Sequence, residues 1–244
     1  MSDKRIEDYA LIGDGETAAL IHRDATIEWL CLPRFDSEAC FAALLGNEEN
    51  GCWKMAPCGE IRETSRSYRG DTLILETDIA TATGKVRLTD FMPTVRAQAP
   101  DVVRIVECLE GEVEMTSELI VRFDYGRIHP LVRSDGGGPS VAISGPDGVK
   151  LDFDPPIEFA DRRFTSRVTL REGERDGRQH GEREDRGQRA SHACDHDTVG
   201  LRVRSPSGRG SPSRSAVTRA SRVASNARRA RSAAGPASVQ PWLA

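Results

Sequence analysis

AALIHRDATIEWLCL, residues 18–32, is two apolar runs parted by the polar group Arg23-Asp24-Ala25-Thr26. In the second run Ile27, Trp29 and Cys31 alternate against Glu28 and Leu30, the two-residue period of a strand with a buried face. The stretch therefore predicts a β-hairpin. Farther along the chain TLILETDIA and KVRLTDF flank a turn at Gly84, and VVRIVECLE and EVEMTSELIVRF flank Gly111. SVAIS and VKLDF flank Gly145-Pro146-Asp147-Gly148, and RFTSRVTL (163–170) reads as a last strand. These segments predict antiparallel pairing throughout, because Gly, Pro and Asp supply the turn geometries that close hairpins. The best helical stretch is SEACFAALL (37–45), two turns with Ser37 as N-cap and Gly46 as stop. Many short strands with regular turn signals indicate an all-β, antiparallel sandwich and not a parallel α/β sheet.

Charge and composition divide the chain. Residues 1–170 hold 19 Lys and Arg against 30 Asp and Glu, whereas residues 171–244 hold 15 against 8. From Thr198 onward there are nine Arg and neither Lys nor acid, and twelve of the thirteen aromatics lie at or before Phe164. We read 1–175 as one β domain and 176–244 as an Arg/Ser/Ala-rich tail. Too few apolar side chains remain there to offset an ordering entropy of roughly 1–2 kcal/mol per residue, so the tail is expected to be disordered. The switch to Arg without Lys is also what a GC-rich gene yields out of frame, and we expect a frameshift near residue 175. DGRQHGERED (176–185), which follows REGER (171–175), has almost no strand character.

Several function classes lose support at this point. No apolar run approaches the roughly 20 residues of a membrane span, and the charged start MSDKRIEDYA has no signal-like apolar core, so a cytoplasmic protein without membrane contact is expected. None of the six cysteines is spaced as CxxC, which predicts reduced thiols. His192, Cys194, Asp195, His196 and Asp197 are of metal-ligating type, but their spacing fits no structural zinc site. Gly13-Asp14-Gly15 lacks a third glycine and precedes a strand-like run, so it reads as a turn and not a phosphate loop. The Arg-rich end would bind phosphate by counterion release whatever its role, and no functional nucleic-acid binding is expected. Neither metal nor cofactor is expected. Glu110 with Glu112, and Asp152 with Asp154, fall on one face of a strand and read as solvated acids, not a catalytic pair.

The stretch IEDYALIGDGETAALIHRDATIEWLCLPRFDSEACFAALLG (Ile6 to Gly46) resembles the opening of the bacterial family 15 glycoside hydrolases, the glucoamylase and trehalase-like group. YRGDTLILET (Tyr68 to Thr77), the VRL-x-DFMP segment (Val86 to Pro93), VVRIVECLEG (Val102 to Gly111) and LIVRFDYGR (Leu119 to Arg127) follow in the same order. The resemblance implies an amino-terminal super-β-sandwich that supports a separate α/α toroid, where two Glu act as general acid and base with inversion. Such a pair stands roughly 6.5–9.5 Å apart to admit a water. The similarity stops before the toroid, so no catalytic residue is assigned and the chain alone is expected to be inactive. Its expected partner is that toroid. Ala25 stands where the family usually has Gly, at a turn position favouring positive φ, and Glu38 where it usually has Pro.

Arg34, Phe35 and Asp36, a charged pair around an aromatic after a buried strand, are candidates for the interface with the toroid. A local Arg34–Asp36 contact or a helix N-terminus accounts for the same residues. Trp29 and Trp53 suit either sugar stacking or core packing. The leading function is a non-catalytic structural domain of an α-glucoside hydrolase. A free-standing carbohydrate-binding module and an enzyme half completed in trans by a separate barrel are the alternatives.

Overall fold

The computed structural model describes residues 4–94, 100–133, 140–153, 156–172 and 199–204. The predicted first hairpin is present. After β1 (Tyr9–Gly13), β2 (Ala18–His22) and β3 (Thr26–Cys31) pair antiparallel across a turn in which Ala25 takes φ 64°. Leu20 faces Trp29 while Ile21 faces Ile27, so Glu28 is the extra residue of a β-bulge. The bulge breaks the expected alternation. Ile27 and Leu30 line the main core, whereas Trp29 and Cys31 pack on a small separate cluster with Ala39 and Ala42.

The segment 37–45 is not a helix. Ala39–Phe41 forms β4 against β3, and only Ala43–Leu45 makes a 3-10 turn ending at Gly46. All three β4 residues are buried, so cover on both faces, not amphipathic helix packing, decides the segment. Ser37 serves the preceding loop, its Oγ accepting from Arg34 N at 3.1 Å.

The remaining strands are β5 (Cys52–Pro57), β6 (Ile61–Tyr68), β7 (Leu75–Thr81), β8 (Gly84–Phe91), β9 (Asp101–Ile120), β10 (Leu131–Arg133), β11 (Ser140–Ser144), β12 (Asp147–Phe153), β13 (Glu158–Ala160), β14 (Arg163–Arg171) and β15 (Val199–Arg204). The hairpins predicted around Gly84 and Gly145 are β7–β8 and β11–β12. The one predicted around Gly111 is instead the single 20-residue strand β9. Its first half pairs with β8 and β15, its second with β5 and β14. One sheet therefore runs β6-β7-β8-β9-β15-β12-β11-β10, and the other β1-β2-β3-β5-β9-β14-β13 with β4 on β3. The strand passes from one to the other at Gly111, which takes φ 69°. A Cβ on Gly111 would lie 2.2 Å from Thr83 O, and one on Gly84 2.2 Å from Glu110 O. Only glycine lets the backbones close there.

The inner faces of both sheets share one core. Ile12, Ile21 and Trp53 from one sheet join Leu75, Ile79, Val86 and Leu151 from the other, all essentially inaccessible. Each such side chain contributes about 1.5–3 kcal/mol by leaving water. Within this core Arg104 is fully buried: Nε and Nη2 donate to Asp90 Oδ1 and Oδ2 at 2.9 and 3.2 Å, Nη1 to Trp53 O at 2.8 Å and Nη2 to Ala25 O at 2.5 Å. Its guanidinium also lies 5.2 Å from the centre of the Trp53 ring. One β9 side chain thus ties β8, β5 and the β2–β3 turn together.

Of the stretch 176–244, expected to lack structure, residues 199–204 form β15, which pairs antiparallel with β9 on one side and β12 on the other. Val199, Leu201 and Val203 alternate with Gly200, Arg202 and Arg204, a strand signal that the tail's average composition conceals. The rest of the tail, with the His192–Asp197 cluster and the expected frame break, lies outside the described residues. Among the described residues no helix is long and apolar enough to cross a membrane. The five described cysteines are free, and burial pushes the Cys52 thiol up to about 12.

Candidate functional site

Arg34, Phe35 and Asp36 lie in the loop after β3. Arg34 Nε donates to Asp36 Oδ1 at 2.9 Å, with both side chains exposed. Phe35 N is tied to Glu16 O at 3.0 Å while its ring is 69% exposed. The local ion pair is present, and the aromatic projects freely. Trp53 is a core residue whose Nε1 donates to Ser117 Oγ at 3.1 Å. Trp29 is half-buried against the Tyr125 ring, 6.1 Å between centres. Glu110 and Glu112 are exposed as expected, and Glu112 accepts from Arg171 Nε at 2.6 Å. Asp154 lies outside the described residues.

His22, Asp24 and Glu28 place one ligand atom each within 4.8 Å of one another. The Lys4 ammonium already pairs with Glu28, and Tyr9 OH donates to its other oxygen at 2.7 Å. The buried Glu28 charge is thereby compensated without a metal, and the group reads as the clasp that holds the chain start to β3.

A different set of residues converges at one end of the sandwich, where the segment after β9 meets the β13–β14 turn and the 3-10 turn Glu48–Asn50. Arg122 is 1% exposed; its Nη2 donates to Glu49 Oε2 at 3.3 Å and its Nη1 to Val121 O at 2.8 Å. Its Nε is buried with no partner among the described residues. Arg163 pairs with both Glu49 and Glu118, and Arg162 Nη1 lies 3.3 Å from His129 Nε2. Three guanidiniums thus face two carboxylates. Burial pulls the Arg122 pKa below its usual value, with Arg162 and Arg163 adding to the effect and Glu49 opposing it. Desolvation lowers His129 as well, helped by Arg122 and Arg162, so this ring favours its neutral form.

Beside these groups opens a cavity of about 290 Å³ with walls of Val121, Leu131, Val132, Phe159 and Phe164 and with His129 and Arg162 at its polar side. Tyr125, Ile128, Leu131 and Phe159 are large apolar side chains left exposed in the segments around it. Among the described residues, four of the five non-glycine residues with positive φ are here: Asp124, Tyr125, Asp161 and Arg162. Each such conformation costs of order 1–3 kcal/mol and persists only where the surroundings impose it. Sequence reading missed this site because its parts lie far apart in the chain. The available signal was an arginine inside the apolar run LIVRF.

With this geometry in view, the profile of one protein family, described as trehalase-like, N-terminal, matches residues 1–160. The chain belongs to the trehalase-like N-terminal domain family. Curated relatives agree. The trehalase of Thermoplasma volcanium is 31% identical over 140 residues, covering 55% of this chain and 22% of that protein. That of Mycolicibacterium smegmatis is 30% identical over 194 residues, covering 69% and 29%. That of Mycobacterium tuberculosis is 29% identical over 194 residues, covering 69% and 28%. The chain spans under a third of the length of these relatives. The matched part of the trehalase-like domain contains β1 to β13 and the whole 121–132 segment.

The β13–β14 turn of this domain offers a direct check on strain. Asp161 and Arg162 are its two central residues, both at positive φ, where hairpins of this kind favour glycine. Arg162→Gly keeps the backbone carbonyl that accepts from Arg122 Nη1 at 3.4 Å. The substitution should stabilise the fold by about 0.5–1 kcal/mol, the gain from relieved strain being partly offset by the freer unfolded chain. That is a rise of about 2–3 °C in the melting midpoint. A lower midpoint would mean that the Arg162 side chain holds the turn together.

Proposed function

We propose that this chain is the non-catalytic, amino-terminal structural domain of an α-glucoside hydrolase of the trehalase or glucoamylase kind, and that it supports a hydrolytic portion without performing the chemistry. The observation that carries the reading is the family match over 1–160 to a domain defined as the amino-terminal part of trehalase-like proteins. The arrangement of acids supports it. The two carboxylates of the Arg122 cluster, Glu49 and Glu118, are both engaged by Arg163, which leaves neither poised as a general acid or base. The exposed Phe35, held between a paired Arg34 and Asp36, suits a place at the border with the hydrolytic portion.

The carbohydrate-binding alternative loses Trp53, which is sealed beneath Arg104 and cannot meet a sugar. Trp29 remains. Titration of the chain with trehalose and with maltose, followed by tryptophan fluorescence and calorimetry, should show no saturable binding up to tens of millimolar. Saturable binding that Trp29→Ala abolishes, with the fold intact, would make the chain a sugar-binding module instead.

A further inference from the structure

The cavity sits where both sheets end. β10, which supplies Leu131 and Val132, pairs only with β11 among the described residues, and β13, which supplies Phe159, pairs only with β14. Each is the terminal strand of its sheet, so each presents backbone groups suited to a further strand. We propose that this mouth receives an extended segment from the remainder of a trehalase-like chain, which sets an apolar side chain in the cavity and a carboxylate against Arg162 and His129. The assignment rests on the domain being one part of a longer hydrolase.

Size and chemistry select the occupant. Small-molecule sites run roughly 300–1,000 Å³, and about 290 Å³ is at or below that range, the room for one large side chain. Its apolar walls offer few partners for the many hydroxyls of a disaccharide. The surplus of guanidinium over carboxylate favours an anion, and a planar carboxylate suits a guanidinium fork. An extended polypeptide supplies the side chain, the acid and the backbone groups together, which is the manner of strand addition at a sheet edge.

The chain's own tail is a poor occupant. Residues 173–198 contain no Val, Leu, Ile, Met, Phe, Tyr or Trp, and from Thr198 onward there is no Asp or Glu side chain. The unrelieved strain at Asp124, Tyr125, Asp161 and Arg162 is likewise what a surface shaped for a partner would retain.

The test is amide and methyl chemical-shift mapping on the full 244-residue chain with short blocked peptides. Acetyl-Thr-Phe-Asp-Thr-amide should shift Leu131, Val132 and Phe159 saturably. The Phe→Ala peptide and the Asp→Asn peptide should each bind at least about tenfold more weakly. Free 3-phenylpropionate, which has ring and carboxylate but no strand, should also fall at least about tenfold short. Arg162→Gly should weaken the Asp peptide about tenfold and leave the Asn peptide unchanged, while its melting midpoint reports that the fold is intact.

Equal binding of all peptides, absence of shifts at these residues, or equal binding of 3-phenylpropionate would overturn the proposal. So would concentration-dependent shifts at the same residues without peptide, because they would give the mouth to a second copy. These outcomes are independent of sugar hydrolysis. Turnover by the chain would sink the structural-domain reading and leave the mouth's chemistry standing, whereas an inert chain without peptide binding would sink only this inference.

Discussion

Arg104→Met should cost about 4 kcal/mol or more, a large part of the roughly 5–15 kcal/mol that a domain of this size has in total. The substitution preserves much of the apolar stem while leaving the Asp90 carboxylate uncompensated in the core. It also strips the donors from Trp53 O and Ala25 O. A buried charge left without its partner typically costs about 3–5 kcal/mol, and each stranded carbonyl adds to that. Asp90→Asn keeps an acceptor for Arg104 but leaves the guanidinium charge uncompensated, so it should also cost about 3 kcal/mol or more. Urea denaturation of the two variants beside the parent gives both numbers. A loss below about 1.5 kcal/mol for Arg104→Met would mean that the ion pair is a passenger in a core held by packing alone.

Gly111→Ala is the second large expected effect. The methyl group would have to adopt a left-handed backbone at φ 69° and also sit 2.2 Å from Thr83 O. The conformational part costs roughly 1–2 kcal/mol. The clash meets backbone, which cannot swing aside as a flexible side chain does, so the total should exceed about 2 kcal/mol. Gly145→Ala is the comparison, because its φ of 59° is also positive while its added methyl would meet nothing within 4 Å. A larger loss at Gly111 than at Gly145 reports the backbone clash at the sheet crossing. Equal losses would show that β9 bends freely there.

The same glycine shows how far the fold was legible. Hairpins β2–β3, β7–β8 and β11–β12 and the strand β14 follow from alternation broken by turn residues, a local signal that local structure obeys. At Gly111 the identical signal has another cause. The chain does not turn back; it passes from one sheet to the other, and whether a left-handed glycine closes a hairpin or bends a strand depends on partners far away in sequence.

Residues 37–45 mislead for a related reason, since burial against β3 overrides a weak helical preference. At the candidate site the Arg34–Asp36 pair was readable because the residues are two apart. The Arg122 cluster and its cavity were not, because they join residues 121–132 to 159–164 through backbone conformations that Asp, Tyr and Arg do not advertise.

Under the proposed function this trehalase-like domain supports chemistry it does not perform. Glucose release from trehalose, maltose and an aryl α-glucoside by the repurified full chain, measured against a matched blank over hours, tests it most directly. No release above the blank is expected with any substrate; release that survives repurification and scales with the chain's concentration would make the chain an enzyme in its own right.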